Sequence, residues 1–192
     1  MVKLNGMKPS FTLIELMISI GVLAVALSIT AGVLLSVIKA TQKQKVIAEV
    51  ERNGSFVMSY IQESAMKALS INCQNSGASS TCSGGASDDE LILGQGSTSL
   101  YVGSRGNTFN CTGGASVTNN FVYATSDSST PDNPEKLTND SENGVHIASL
   151  AFVVSPGNPA RLTVTMDVES SKCGGWNVSK RFQSFITVRG IY

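Results

Sequence analysis

The chain has 192 residues, and its 14 Lys and Arg balance 14 Asp and Glu, so the formal net charge is 0. Beyond Cys73, seven basic and ten acidic residues leave a net charge of −3, so this part does not attract phosphate backbones as a whole. The length leaves room for one membrane helix and one modest domain of about 120 residues.

The first ten residues form a basic leader that contains Lys3 and Lys8, and Pro9 delays the start of a helix. From Phe11 to Ile38 the chain is almost uniformly apolar. At ~1.5 Å rise per residue, these roughly 28 residues make a helix of about 42 Å, against ~30 Å of hydrocarbon in a bilayer. The sequence therefore predicts a segment that crosses a membrane.

One carboxylate, Glu15, lies inside this apolar segment. An ionised side chain at the centre of a membrane helix costs on the order of 2.5–3.5 kcal/mol and is usually paired. Glu15 is therefore a functional residue by hypothesis, and its partner has to be a cation.

The residues from Ser10 to Met17, SFTLIELM, resemble the processing site of type IV prepilins and of type II secretion pseudopilins. The resemblance implies that a prepilin peptidase cuts between Ser10 and Phe11 and methylates the new amino group of Phe11. It also implies that Glu15 faces the terminal amine of Phe11 on a neighbouring subunit during assembly. The family usually has Gly before the cut, where this chain has Ser10.

An ordinary signal peptide or a plain membrane anchor is the alternative interpretation of a basic leader before an apolar run. The run is too long for a secretory signal, and no small-residue cleavage site of the A-x-A kind follows Ile38. A plain anchor has no need of Glu15. These features favour the prepilin interpretation.

The same resemblance implies a location and a set of partners. The leader lies in the cytoplasm, and the chain crosses the cytoplasmic (inner) membrane once, with everything after about Lys39 outside. The partners are the lipid bilayer before assembly, the prepilin peptidase, an inner-membrane assembly platform, and other pilin subunits in an extracellular or periplasmic helical filament. No cofactor is implied.

After Lys39 the pattern becomes amphipathic and predicts that the helix continues to about residue 71. Apolar residues recur at helical spacing and form a stripe that faces a sheet: Val46, Val50, Val57, Ile61, Ala65 and Ala68. Gly54 costs roughly 1 kcal/mol in a helix interior and marks a soft point. The run from Glu49 to Ala65 resembles the corresponding helix of J-type pseudopilins and PilW-like minor pilins.

Residues 72–192 predict a β-rich head with loops held by cysteines. Short strands are predicted at 91–93, 100–102 and 121–123, and a polar loop that holds five acidic residues at 125–144. Three longer strands follow at 145–155, 161–169 and 181–192, and they predict an antiparallel meander. The fold class is α+β, a long N-terminal helix packed on an antiparallel sheet.

Four cysteines, Cys73, Cys82, Cys111 and Cys173, all lie beyond the membrane segment. Their even number fits two disulfides in an oxidising compartment, and three connectivities are possible. We favour Cys73 with Cys82 and Cys111 with Cys173. A four-cysteine zinc site is disfavoured because no C-x₂₋₄-C pair occurs.

The sequence predicts no enzyme. The only histidine, His146, lies in an apparent strand, and the paired glycines lack the spacing of a phosphate-binding loop. The sequence contains two weaker candidate binding sites. The acidic loop offers oxygen ligands for calcium without the spacing of an EF-hand, so a solvated loop is favoured. Its acidic residues are Asp127, Asp132, Glu135, Asp140 and Glu142.

The second weak site combines Trp176 with two cations, Lys180 and Arg181, and such a combination suits a DNA strand or an anionic surface. The simpler interpretation is a disulfide-held hairpin whose Trp176 packs inward. By its resemblance, the leading function is a structural subunit, and a minor one, of a type IV pilus or type II secretion filament. The alternative is a tip or near-tip subunit whose head binds DNA, a surface or a secreted substrate.

Overall fold

A computed structural model describes residues 12–74, 81–84, 90–96, 98–114, 116–126, 134–142, 144–155, 160–173 and 175–188, without the side chains of 72–74, 81–84, 160 and 188. The predicted leader and cleavage site, Ser10 and Phe11 included, lie outside these residues. The chain divides into two compact units, one up to Lys43 and one from Gln44 onward.

One helix, α1 (Leu13–Lys67), opens the described chain, and nine strands follow it. Their bounds are β1 Ser70–Gln74, β2 Thr81–Gly84, β3 Glu90–Gln95, β4 Thr98–Asn110, β5 Ser116–Thr125, β6 Glu135–Lys136, β7 Val145–Ser155, β8 Ala160–Ser170 and β9 Ser179–Val188. The α+β class predicted from the sequence is confirmed. The long helix was expected because no proline interrupts the chain between Phe11 and about Ser70.

The strands form two antiparallel sheets, where the sequence predicted one. Sheet A has the order β1-β3-β4-β5-β6, and sheet B has the order β2-β7-β8-β9. The predicted C-terminal meander is present as β7, β8 and β9, with Phe152 opposite Val164 and Leu162 opposite Ile186. The short strand predicted at 100–102 is part of β4, a 13-residue strand that pairs with β5.

The C-terminal part of α1 contributes to the core of the second unit. Val50, Val57, Ile61 and Ala65 are at most 1% exposed and belong to one cluster with apolar residues of both sheets. The cluster members from the sheets include Leu91, Leu93, Val102, Val122, Ile147, Phe152, Leu162, Val164 and Met166. The predicted apolar stripe is confirmed, because this face of the helix is buried and Arg52, Gln62 and Glu63 between its members are exposed.

Gly54 is a point of close packing between α1 and β9. A Cβ atom placed on Gly54 would lie 2.2 Å from the Phe182 ring of β9, so any larger residue there requires that ring to move. The neighbouring Asn53 is also buried. Its Oδ1 accepts a hydrogen bond from the Asn139 N–H at 3.0 Å, and its Nδ2 donates to the Glu49 carbonyl at 2.9 Å.

The predicted polar loop at 125–144 is partly structured and partly buried. Its segment 135–136 forms β6 at the edge of sheet A, and Leu137, Thr138 and Asp140 are buried. The Thr138 hydroxyl accepts the Val122 N–H at 3.0 Å. Acidic composition alone suggested a solvated loop, but this stretch covers the edge of a sheet.

Candidate functional site

The N-terminal part of α1 exposes its apolar side chains on all sides. Every described residue from Thr12 to Lys43 is exposed, and the large apolar side chains range from Leu13 at 78% to Ile38 at 43%. The helix is long and apolar enough to cross a membrane once. A surface of this size is unfavourable in water, so it requires either lipid or other protein surfaces around it.

Three hydroxyl side chains in this apolar stretch bond to their own helix. Ser19 donates to the Glu15 carbonyl at 2.8 Å, Ser28 to the Ala24 carbonyl at 2.9 Å, and Thr30 to the Leu27 carbonyl at 2.9 Å. Such back-bonding satisfies a hydroxyl that has no water to bond to. These residues therefore add little polarity to the surface.

Glu15 lies in the first turn of α1. Thr12 caps this turn, since its carbonyl accepts the Glu15 N–H at 3.1 Å and its hydroxyl lies 3.4 Å from the same N–H. A carboxylate in the first helical turn is favoured by the helix dipole. Within the described part of the chain, no cation forms an ion pair with the Glu15 carboxylate. Any cationic partner of the Glu15 carboxylate therefore lies outside the described residues.

In the second unit, a disulfide joins Cys111 to Cys173, with their Cα atoms 5.5 Å apart. It connects the turn between β4 and β5 to the loop between β8 and β9, and it is the pairing that we favoured. The side chains of Cys73 and Cys82 lie outside the description, so their pairing stays a prediction. A disulfide that spans 62 residues of sequence restricts the unfolded chain and stabilises the fold.

Asn119, whose side chain contacts the loop of this disulfide, is fully buried. No sequence pattern indicated this buried amide. Its Nδ2 donates to the Ser171 hydroxyl at 2.8 Å, and its Oδ1 accepts the Lys172 N–H at 3.3 Å. The Ser171 hydroxyl also accepts the Cys173 N–H at 3.3 Å. Asn119 therefore ties strand β5 to the loop that carries Cys173.

Two carboxylates of the acidic segment have structural partners. Asp140 pairs with Lys136 at 2.9 Å and accepts the Asn107 amide at 2.7 Å. Glu142 accepts the Thr112 N–H at 2.7 Å, and hydrogen bonding by the Thr112 side chain, followed by this backbone bond, lowers the pKa of the Glu142 carboxyl. Asp127 and Asp132 lie outside the described residues. Within those residues, no group of three or more His, Cys, Asp or Glu side chains is arranged to hold a metal ion.

The predicted binding residues Lys180 and Arg181 are both paired with carboxylates. Lys180 lies 2.6 Å from Glu51 of α1. Arg181 binds Asp167 through two nitrogens at 2.7 and 2.9 Å, and this contact lowers the pKa of the Asp167 carboxyl. Trp176 is half-buried, and its carbonyl accepts the Ser170 hydroxyl. The structure therefore brings Trp176 close to β8 but commits both cations to partners within the head.

His146 is buried at the contact between the two sheets. Its Nδ1 accepts the Asn120 N–H at 3.0 Å, which joins β7 of sheet B to β5 of sheet A. Burial lowers the pKa of the imidazole, the positive charge of Lys172 lowers it further, and Glu169 opposes the shift. This environment keeps His146 neutral and gives it a structural role.

Comparison of the chain with family models, with curated proteins and with solved structures finds no match. Functional inference therefore rests on the residues and contacts described above.

Proposed function

We propose that this chain is a structural subunit of a filament of the type IV pilus or type II secretion class, assembled through the N-terminal half of α1. The observation that carries the proposal is the contrast within one helix: its apolar half is exposed on every side, and its other half is built into a folded head. A membrane accommodates the apolar half before assembly, and neighbouring copies accommodate it afterwards. No enzymatic activity is part of the proposal.

Glu15 supplies the specificity that apolar contacts lack. In this proposal the prepilin peptidase cuts between Ser10 and Phe11, and the methylated amine of Phe11 becomes the positive partner of Glu15 on an adjacent subunit. An α-amino group with a pKa near 8 and a carboxyl group with a pKa near 4.3 are oppositely charged at pH 7. Their attraction strengthens in a low dielectric, so each charge offsets part of the other's desolvation.

The head is the part of the subunit that lies outside the cytoplasmic membrane in this proposal. The Cys111–Cys173 disulfide supports an oxidising compartment, since cytosolic thiols are kept reduced. The same proposal makes the inner-membrane assembly platform and other pilin subunits its partners. The loose resemblance of the Glu49 to Ala65 helix to J-type and PilW-like proteins makes a minor subunit the finer form of the proposal.

The decisive experiment is mass spectrometry of the N-terminus in the protein recovered from sheared filaments. We expect a mature chain that begins with N-methylated Phe11. A chain that still begins at Met1 in assembled filaments would refute the processing step, and absence of the protein from every filament fraction would refute subunit status.

Glu15→Ala tests the register role separately. We expect the variant to stay in the membrane and to be lost from filaments by at least about tenfold, because the terminal amine of Phe11 then lacks its counter-charge. Ser19→Ala is the matched control, since it removes a polar group in the next turn whose only bond is to its own helix. Equal incorporation of Glu15→Ala and Ser19→Ala would contradict the role.

A further inference from the structure

The end of the apolar segment carries two cations on one helix face that have no protein partner. Lys39 and Lys43 are one turn apart, and both are exposed. Neither forms an ion pair within the described part of the chain. Other exposed or half-buried cations there are paired, among them Arg52, Lys67, Lys136, Lys180 and Arg181. These two lysines therefore remain available to a partner outside the chain.

The sequence around the two lysines keeps the local charge positive. No Asp or Glu occurs between Glu15 and Glu49. Unpaired positive charges next to an apolar surface attract anions that lie at the edge of hydrocarbon. The headgroups of anionic phospholipids lie at that position. The positive charge beside the apolar segment therefore favours anionic phospholipids as the partner.

The dimensions of a bilayer bring the lysines to the depth of the headgroups. If the Glu15 carboxylate lies at the opposite boundary of the hydrocarbon, where its charge is least costly, ~30 Å of hydrocarbon at about 1.5 Å per residue ends near Leu35. Lys39 then lies about 6 Å farther along the helix, inside a headgroup layer that is about 5–7 Å thick on each side. Lys43 lies one turn beyond, and its long side chain extends back toward the same layer.

We propose that Lys39 and Lys43 form a binding site for the phosphate of anionic phospholipids while the chain is in the membrane. This inference rests on the membrane stage of the proposed function and adds a lipid partner to it. Both lysines hydrogen-bond to phosphate oxygens there, and the site favours phosphatidylglycerol over a zwitterionic lipid because no headgroup cation compensates the phosphate charge of phosphatidylglycerol. Leaving the membrane for a filament then requires these contacts to break, and anionic lipid retains the subunit in the bilayer.

The test uses the full chain in vesicles of equal parts phosphatidylcholine and phosphatidylglycerol. Electron paramagnetic resonance of spin-labelled lipid measures the motionally restricted fraction at the protein surface for each headgroup. We expect the wild-type chain to prefer phosphatidylglycerol, and Lys39→Gln with Lys43→Gln to reduce the preference by up to about fivefold for each lysine. At about 1 M salt the wild-type preference should disappear, because the Debye length falls to about 3 Å.

Lys67→Gln is the matched control, because it removes another exposed lysine of the same helix, one that is paired with Glu63. It should leave the preference unchanged. Equal preference in the wild-type chain and the double variant would overturn the lipid site alone. Absence of any restricted lipid in the wild-type sample would show that the helix is not in the bilayer, and so would refute the membrane stage of the proposed function.

Discussion

The two halves of α1 have the same secondary structure and opposite surroundings. Ile29, in the first half, is 64% exposed, whereas Ile61, in the second half, is fully buried in the core of the head. Both are isoleucines in a regular helix, so helix formation does not depend on what the side chains contact. What differs is the distribution of polar residues around the axis, and that distribution decides whether a half packs within its own chain.

The comparison separates the half of α1 that stabilises the head from the half that is available for association with lipid or other subunits. The packed half contributes to the free energy of folding of the head through Val57, Ile61 and their neighbours. The exposed half buries nothing within the chain, so its sequence is free to serve an external environment. Substitutions in the two halves should therefore produce different classes of effect, and the following experiments test that separation.

The largest difference is expected between two matched substitutions, Ile61→Ala and Ile29→Ala. Ile61→Ala should lower the free energy of unfolding of the head by about 2–5 kcal/mol, because it opens a cavity in a fully buried site. Ile29→Ala should leave it unchanged. The measurement is denaturant unfolding in detergent, followed by the fluorescence of Trp176, the one tryptophan of the chain. Equal effects of the two substitutions on the free energy of unfolding would contradict the difference between the two halves of α1.

Removal of the Cys111–Cys173 disulfide should have the second-largest effect on head stability. Replacing both cysteines by alanine releases a 62-residue constraint on the unfolded chain, and we expect a loss of about 2–4 kcal/mol in head stability. The helical circular dichroism signal that persists after the head unfolds in detergent should be the same as in the wild-type protein. An unchanged unfolding midpoint would show that the disulfide is not a source of head stability.

Gly54→Leu and Gly21→Leu test the same comparison by adding a side chain instead of removing one. Leucine favours the helix at both positions, but at Gly54 the new side chain meets the Phe182 ring, so we expect a loss of about 1–3 kcal/mol. No atom lies within 4 Å of a Cβ at Gly21, so head stability should not change there. Phe182→Ala combined with Gly54→Leu should recover part of the loss, whereas simple additivity of the two would contradict the proposed contact.

The smallest effect is a dependence on pH. Because the pKa of His146 is lowered in the folded head, the unfolded chain binds a proton more readily below its ordinary pKa of about 6.5. Head stability should therefore be full above about pH 6.5 and should decline as the pH falls through the lower pKa of the folded state. His146→Asn retains an acceptor at the position of Nδ1 and cannot titrate there, so its decline should be shallower. Identical pH profiles would exclude His146 as the source.

Patterns of local spacing predicted a large part of the fold. The uninterrupted helix follows from the absence of proline, and the buried stripe at Val50, Val57 and Ile61 follows from helical spacing. The bounds of β7 were predicted from its length, its content of strand-forming residues and the turn residues after it, and they agree with the structure. These features depend on neighbours in sequence, so a single sequence contains them.

Features that depend on distant neighbours were not predictable. The division into two sheets is decided by pairing between strands that are far apart in sequence, and no local pattern indicates it. Gly54 was interpreted through helix propensity, although its importance comes from Phe182, which lies 128 residues later. Likewise, Lys180 and Arg181 were interpreted as a free basic pair because their partners, Glu51 and Asp167, lie on other elements.

The back-bonded hydroxyls of Ser19, Ser28 and Thr30 have a consequence for how the apolar half changes its surroundings. Because each hydroxyl already bonds to a carbonyl of its own helix, acyl chains can be replaced by neighbouring side chains without breaking those bonds. Among the described side chains from Leu13 to Ile38, Glu15 and Ser36 are the two polar ones outside this arrangement. The polar cost of exchanging lipid for protein neighbours is therefore concentrated near the two ends of the segment, and its middle makes the exchange without losing a hydrogen bond.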